Sequence, residues 1–343
     1  MVHAAFTRSL MAAVFLLVAA SAGRAQSPAD FYKGKTVELY IGYSSGGAYD
    51  LYARMLARYI GKHIPGNPIV LPKNMAGAGS LLLANWLYNV APKDGSVFGM
   101  IGRGTGFDPI FGNKRAQFDG TKYLWLGSAN NEVSVCVAWH TSGVTRFSEL
   151  LTRELVVGGT GASADTDQFP KITNGVLGTR FKIVTGYPGG NEISLAMERG
   201  EVQGRCGWSW SSVKATHQKW YDDKKIHLLV QLALEKHPDL PDVPLVVDLA
   251  KTDEERKILE LIFARQVMGR PFLAPPGIPA ARAAVLRQAF MDTMQDKEFL
   301  AAADKAKMEI TPVSGEKVDK LVKDIYATPA DITKKAAALL AKK

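Results

Sequence analysis

The stretch Val37–Ile60, VELYIGYSSGGAYDLYARMLARYI, constrains this chain more than any other. Val37, Leu39, Tyr40 and Ile41 make the apolar run of a buried strand, Gly42–Gly47 supply a tight turn, and from Asp50 onward Leu51, Met55, Leu56 and Tyr59 share one helical face. Such a turn leaves the first N–H groups of the helix without intrahelical partners, at the positive end of the helix dipole, where an anion binds readily. Tyr43, Ser44 and Ser45 add hydroxyls beside Gly46 and Gly47. The same turn also serves a plain strand-to-helix connection, with Asp50 capping the helix. What favours the anion reading is repetition: YIGYSSGG in the first half and VVGGTGAS in the second are one device used twice. Two such turns facing each other would hold opposite ends of one anion.

The chain between them keeps the same alternation. IVLPKNM reads as a strand, GAGSLLLANWLYNV as a helix entered through Gly77 and Gly79, and SVFGMIG as a strand running into a glycine turn at Gly102–Gly106. A new unit starts near Leu126 with the strand VSVCVAW, the helix RFSELL, the strand LVVGG and the turn GGTGASAD. FKIVTGYPGG gives a strand and turn, ISLAMERG a helix, and GEVQGRCGWSW and IHLLVQLALE two further strands. MGRPFLAPPG lies between the helices DEERKILELIFARQ and PAARAAVLRQAFMDTM, and the basic tail is helical, broken at Pro312 and Pro329. This is the βαβ pattern of a parallel-sheet α/β protein. With 343 residues, 47% hydrophobic and 22% charged, the chain can bury a large core and build two domains.

Residues 1–25 stand apart. His3 and Arg8 precede an apolar run from Leu10 to Ala20 and then SAGRAQ, the pattern of a cleaved secretory signal peptide, with cleavage after Ala25 or Ala22. The run is too short for a permanent membrane span, and export to the periplasm follows. Lys and Arg outnumber Asp and Glu by 42 to 33; the leader removes Arg8 and Arg24 and no acid, so the surplus falls by two. The remaining charge is diffuse and has no aromatic platform, which argues against a nucleic-acid partner and suits an anionic small ligand. Cys136 and Cys206 are the only cysteines, too few for a zinc site, leaving a disulfide or two buried thiols; the oxidising compartment favours the disulfide.

One catalytic motif needs weighing. Gly42-Tyr43-Ser44-Ser45-Gly46 fits G-x-S-x-G between a strand and a helix, the setting of a hydrolase nucleophile elbow, which makes a secreted serine hydrolase the alternative function. Against it, this strand is the first of the mature chain, so no earlier strand supplies an oxyanion loop, and His140, His217, His227 and His237 have no distinguishing context. Gly34-Lys35-Thr36 lacks the upstream glycine of a phosphate loop, and neither Gly77-Ala78-Gly79 nor Gly102-Arg103-Gly104 completes a dinucleotide fingerprint. No cofactor and no metal is called for.

Taken together, these segments resemble the periplasmic solute-binding proteins of tripartite tricarboxylate transporters, the TctC or Bug type. The segments that carry the resemblance are Ser45–Arg54, Asn74–Ser80, Lys93–Ser96, Gly159–Ser163, Tyr187–Gly190, Gly200–Val202, Pro241–Pro244 and Ala274–Pro279, in order along the whole mature chain. Two positions depart from the family pattern: Gly42 stands where a proline is usual, and Ala196 where the helix after the Tyr-x-Gly-Gly turn usually carries an aspartate, a role open to Glu192 or Asn191.

The resemblance implies a two-domain periplasmic-binding-protein fold of type II, with a hinge and an interdomain ligand cleft. Domain 1 would comprise residues 26–126 and 267–343 and domain 2 residues 127–266, with VSVCVAW crossing out and MGRPFLAPP returning. It places VSVCVAW between GEVQGRC and IHLLVQ, and so Cys136 and Cys206 on neighbouring strands within reach of a disulfide. It implies a monomer that binds a small organic carboxylate, mono- or dicarboxylate, aromatic acids included, and delivers it to integral-membrane transporter subunits. Ligand contacts would come from Tyr43, Ser44, Gly46 and Gly47 on one side and Thr160, Gly161, Ala162 and Ser163 on the other. To these the residues themselves add Arg103, at a strand end where a guanidinium can clamp a carboxylate or serve as a surface or ion-pair arginine, and Trp208 or Trp210, alternating along one strand so that one can face the cleft or both pack in the core.

Overall fold

The computed structural model describes residues 26–341, so the expected signal peptide lies outside the described residues. Two mixed sheets organise the chain. The first has strands β1 (Thr36–Ile41), β2 (Ile69–Asn74), β3 (Val97–Met100) and β4 (Leu124–Ser128), joined by β10 (Pro271–Ala274) and the short β11 (Val313–Ser314). The second is built from β5 (Ser134–Trp139), β6 (Leu155–Gly159), β7 (Phe181–Thr185), β8 (Gly204–Ser209) and β9 (Ile226–Leu232).

Their orders are β11-β4-β10-β3-β1-β2 and β7-β6-β8-β5-β9. Within each sheet the parallel strands run second, first, third, then a strand arriving from the other unit, then the fourth; the inserted strand is β10 in one and β5 in the other, antiparallel to both neighbours. The chain therefore crosses between units at Ala129–Val133 and returns at Gly269–Arg270. This reciprocal insertion is the two-domain, hinged arrangement expected, and β5 lies between β8 and β9 as anticipated.

Local sequence explains the elements. In β1 the alternate residues Val37, Leu39 and Ile41 are buried beneath the helix Ala48–Ile60, which returns Tyr52, Met55, Leu56 and Ile60 to the same core. Pro72 is tolerated in β2 because that strand is at the sheet edge. Three stretches differ from the sequence reading. RFSELL is a 3₁₀ turn at Phe147–Leu151, and β4, read only as the start of a new unit, completes the first sheet. The strand expected to run through Trp210 stops at Ser209, and a helix, Trp210–Asp222, follows. The last helix, Ala330–Ala341, expected with the first unit, instead packs Ile332 and Ala336 into the second unit's core, and Leu339 comes against Gly175.

Cys136 of β5 and Cys206 of β8 are joined in a disulfide, fully buried, closing a loop of 70 residues. By loop-closure entropy a bridge of this span contributes on the order of 4 kcal/mol. The Cys136→Ala/Cys206→Ala pair should therefore melt several degrees lower in a calorimeter, and non-reducing peptide mapping of protein recovered from the periplasm should find the two cysteines linked.

Candidate functional site

Both glycine turns cap themselves. Gly46 adopts φ +82°, and its N–H donates to Oδ2 of Asp50, the third residue of helix Ala48–Ile60, at 2.9 Å. Gly161 donates to Oδ2 of Asp167, likewise the third residue of its helix, Asp165–Leu177, again at 2.9 Å. Thr160 N–H goes to Thr166 Oγ1 at 3.0 Å. Asp50 also pairs with Arg54 at 2.9 Å and accepts from Asn74. Although burial opposes it, the hydrogen bonds from Arg54, Gly46 and Asn74 hold its carboxyl below the usual range. The donors expected to cradle a ligand are thus largely committed to the protein's own carboxylates.

The expected contacts divide between two places. Tyr43, Ser44, Gly47, Arg103, Thr160 and Trp208 line one partly open cavity of about 60 Å³ at the carboxyl ends of β1, β3, β6 and β8. In an α/β sheet this is where ligands bind. Ser45 and Gly46 do not reach it; Ser45 Oγ points to Asn74. Gly161, Ala162 and Ser163 face a separate groove with Ala78, Asp108 and Tyr187, while Thr160 borders both. The far half of the second turn packs against the first unit, Gly161 on Ala78 and Ser163 on Asp108, so the two turns do not stand as opposed cradles around one cavity.

Arg103 is not free to clamp. Its guanidinium is 2% exposed, with Nε 2.8 Å from Asp165 Oδ2, Nη1 donating to Gln266 Oε1 at 2.7 Å and Nη2 to Ser209 Oγ at 2.5 Å. Trp210 begins a helix and sends Nε1 to Asp239, leaving Trp208 as the tryptophan of the cavity.

The residue that local patterning did not reveal is Arg205. It sits on β8 between the disulfide and Gly204, over the Trp208 ring at 4.6 Å, and lines the cavity. Its Nη1 donates to Gly190 O at 3.1 Å, its Nε is buried without a partner, and among the described residues no carboxylate forms an ion pair with it. Burial first, then the nearby charge of Arg270, push its pKa well below the ordinary arginine value. His217 closes the wall, its ring edge-on to Trp208; burial and Arg205 push its pKa down to about 4, so it is neutral at pH 7. The missing side chain at Gly190 leaves room for the Arg205 guanidinium, a contact between positions 15 residues apart that the local sequence does not signal.

Ser44 lacks the imidazole partner of a Ser-His pair: its hydroxyl donates to Glu192 Oε2 at 3.0 Å, and among the described residues no imidazole is bonded to it. Glu192 thereby reaches the cleft from the helix on which Ala196 is buried in the core. Among the described residues no helix is long and apolar enough to cross a membrane, and no group of three or more potential metal ligands is found.

No family model matches the chain. The UPF0065 protein in the tcbD-tcbE intergenic region of Pseudomonas sp. (strain P51) is 25% identical over 248 residues, 71% of either chain. A UPF0065 protein of Cupriavidus necator, in the gbd 5' region, is 35% identical over 85 residues, 25% of each. Among solved structures, the periplasmic binding protein BugD superposes with a TM-score of 0.72 at 17% identity, over 89% of this chain and 98% of its own. MatC from Rhodopseudomonas palustris with bound malate gives 0.70 at 18% identity, over 88% and 99%. The R. palustris protein Rpa4515 with adipate gives 0.67 at 15%, over 88% and 97%. The fold is that of the periplasmic binding proteins, and the chain resembles their Bug and TctC members.

Two predictions concern the seam between the units. A Cβ on Gly161, which has φ +132°, would lie 2.7 Å from the Ala78 carbonyl carbon and 2.8 Å from Gly79 N. Gly161→Ala should therefore hold the cleft open, raising the radius of gyration in X-ray scattering; Gly178→Ala, with φ +74° and open space around it, carries the backbone penalty alone and should not. Asp108, 1% exposed, accepts from Ser163, from Gln168 Nε2 at 3.2 Å and from Asn113 Nδ2 at 2.8 Å. Burial pushes its carboxyl up to about 6. A raised folded pKa means the native state holds the proton longer, so the stabilisation present at low pH is lost as pH rises through 6. Melting curves should show Asp108→Asn gaining on the wild type between pH 5 and pH 8.

Proposed function

We propose that this chain is an exported solute-binding receptor that captures a small organic carboxylate in the cleft between its two units and hands it to the integral-membrane subunits of a tripartite tricarboxylate transporter. The observation that carries this reading is Arg205, a cation without an ion-pair partner among the described residues, lining a partly open cavity of mixed polar and aromatic character at the strand ends. Arg205 is partly exposed with its Nε buried and unpartnered, and a ligand carboxylate arriving there supplies the missing counter-charge and a charge-assisted contact. Trp208, Tyr43 and Tyr49 give the ligand body an aromatic wall, and Thr160 and Ser212 offer hydroxyls.

Several further observations support the same reading. The N-terminal leader is that of an exported protein. The inserted strands β5 and β10 leave two short crossovers on which units approximating residues 26–126 with the return after 267, and residues 127–266, can close. Structural neighbours are described with malate and with adipate. The hydrolase alternative has no comparable support, since Ser44 is hydrogen-bonded to Glu192 instead of to an imidazole.

Titration calorimetry tests the proposal. The mature protein should bind small carboxylates without consuming them, and Arg205→Gln, with a native melting transition, should lose roughly 10- to 100-fold in affinity, the worth of a charge-assisted hydrogen bond of about 1.5–3 kcal/mol. Ser44→Ala should change affinity by less than tenfold. Ester hydrolysis abolished by Ser44→Ala, or carboxylate affinity untouched by Arg205→Gln, would overturn it.

A further inference from the structure

The helix Trp210–Asp222 lines the cavity through Ser212, Thr216 and His217, and it departs from helical dihedrals at His217, with φ −140° and ψ 24°. Thr216 Oγ1 makes two short contacts there, 2.7 Å to the carbonyl oxygen of Ser212 and 2.6 Å to His217 Nδ1. A hydroxyl has one proton and a carbonyl only accepts, so the Thr216 proton goes to Ser212. The hydroxyl oxygen then accepts from the ring, which places a proton on Nδ1 of His217. Burial, then the charge of Arg205, keep this imidazole neutral at pH 7, so its Nε2 carries a lone pair and no proton. That lone pair has no partner among the described residues, and Nε2 is not sealed inside the protein. Arg205 Cζ lies 4.6 Å from the centre of the Trp208 ring and the His217 ring 4.9 Å from it. A cation and a neutral acceptor thus flank one indole in the cavity wall, and a carboxylate held at Arg205 has no proton of its own to give the acceptor beside it.

We infer that the cavity takes a hydroxy acid, with Arg205 on the carboxylate and His217 Nε2 accepting from a hydroxyl on the neighbouring carbon. This rests on the receptor reading above and adds a second recognition element to it. A hydroxyl brings one proton to one lone pair, whereas an ammonium brings three. An acid without the hydroxyl would displace water from Nε2 and leave the nitrogen unpaired, and a site built to meet a hydroxyl rejects an analogue that lacks it for that reason. Thr216 is the positioning residue: by accepting from Nδ1 it fixes which nitrogen of the ring is bare. The contact is indifferent to the number of carboxylates on the ligand.

Two measurements on the mature protein at pH 7.5 test this. Long-range proton–nitrogen NMR correlation needs no ligand: the His217 ring, identified by its absence from natively melting His217→Phe, should show Nδ1 protonated and Nε2 bare. Calorimetry at constant ionic strength should find lactate bound about fivefold or more tighter than propionate, and malate than succinate, the worth of one neutral hydrogen bond. 2-Methoxypropionate, which keeps the oxygen and lacks its proton, should bind no better than propionate, and none of these acid comparisons needs a variant. His217→Phe, which keeps a ring against Trp208, should bring the lactate-to-propionate ratio to about one, whereas Arg205→Gln should weaken both acids. A proton on Nε2, a charged ring at this pH, or lactate and malate bound no more tightly than their partners overturns the inference and leaves the receptor reading standing. Failure of every carboxylate to bind a natively melting protein at millimolar concentration overturns the receptor reading and the inference with it.

Discussion

The Arg103 guanidinium ties the molecule together. It leaves the first unit at the end of β3 and meets Asp165 at the start of a helix in the second unit, Ser209 at the end of β8, and Gln266 just before the chain returns. Gln266 in turn donates to the carbonyl of Leu232, the last residue of β9. Ser209 also accepts from Arg270 at 3.1 Å, and Arg270 reaches Glu132 on the outgoing crossover. A single buried network thus spans the cavity floor and both crossing segments. Buried charges of this kind are costly to create and more costly to orphan: removing one member leaves an uncompensated ion, at about 3–5 kcal/mol. Such a network gives the two units a defined relative position, which hydrophobic packing alone specifies less sharply.

That network also decides what the cavity can do. With Asp165, Ser209 and Gln266 holding Arg103, this arginine is part of the frame, and in the proposed function ligand recognition falls to Arg205 on β8. Arg205 is held by a backbone carbonyl and an aromatic face, contacts that orient a guanidinium without neutralising it. The two arginines differ in no property readable from their immediate sequence. What separates them is a carboxylate 62 residues away from one in the chain and none beside the other.

This difference measures how far the sequence could be read. Elements whose cause is local were legible: the apolar alternation of β1, the glycine turns at Gly42–Gly47 and Gly159–Ser163, and the amphipathic helix Asp253–Phe263. The insertion of β5 between β8 and β9, and with it the Cys136–Cys206 pairing, came through the family resemblance. What was missed has a non-local cause. The helix Trp210–Asp222 is masked by a polar, β-branched and aromatic composition, and is kinked at His217, where φ is −140°. The final helix, Ala330–Ala341, is short and alanine-rich, so nothing in its own pattern says which unit its stripe will cover. Arg103 was expected as a ligand clamp because a strand-end arginine looks alike whether its partner is a solute or Asp165.

The two self-capped turns carry the reasoning one step further. Asp50 and Asp167 occupy the same position in their helices and accept the N–H of a glycine in the turn preceding each. An internal carboxylate there offsets much of the positive end of the helix dipole that an exposed turn would present to a solute. In the proposed function, affinity for an anion then comes from a group that the fold leaves uncompensated, Arg205. The glycine turns keep a different task. With no side chain at Gly161 or Gly79, the backbones of the two units approach to van der Waals distance, Gly161 against Ala78 and Gly79 against Ala164. The repeated device that first suggested a pair of anion cradles is, in the folded chain, a close backbone contact between the two units, and in the proposed function the charge that meets the ligand is Arg205, near the start of β8.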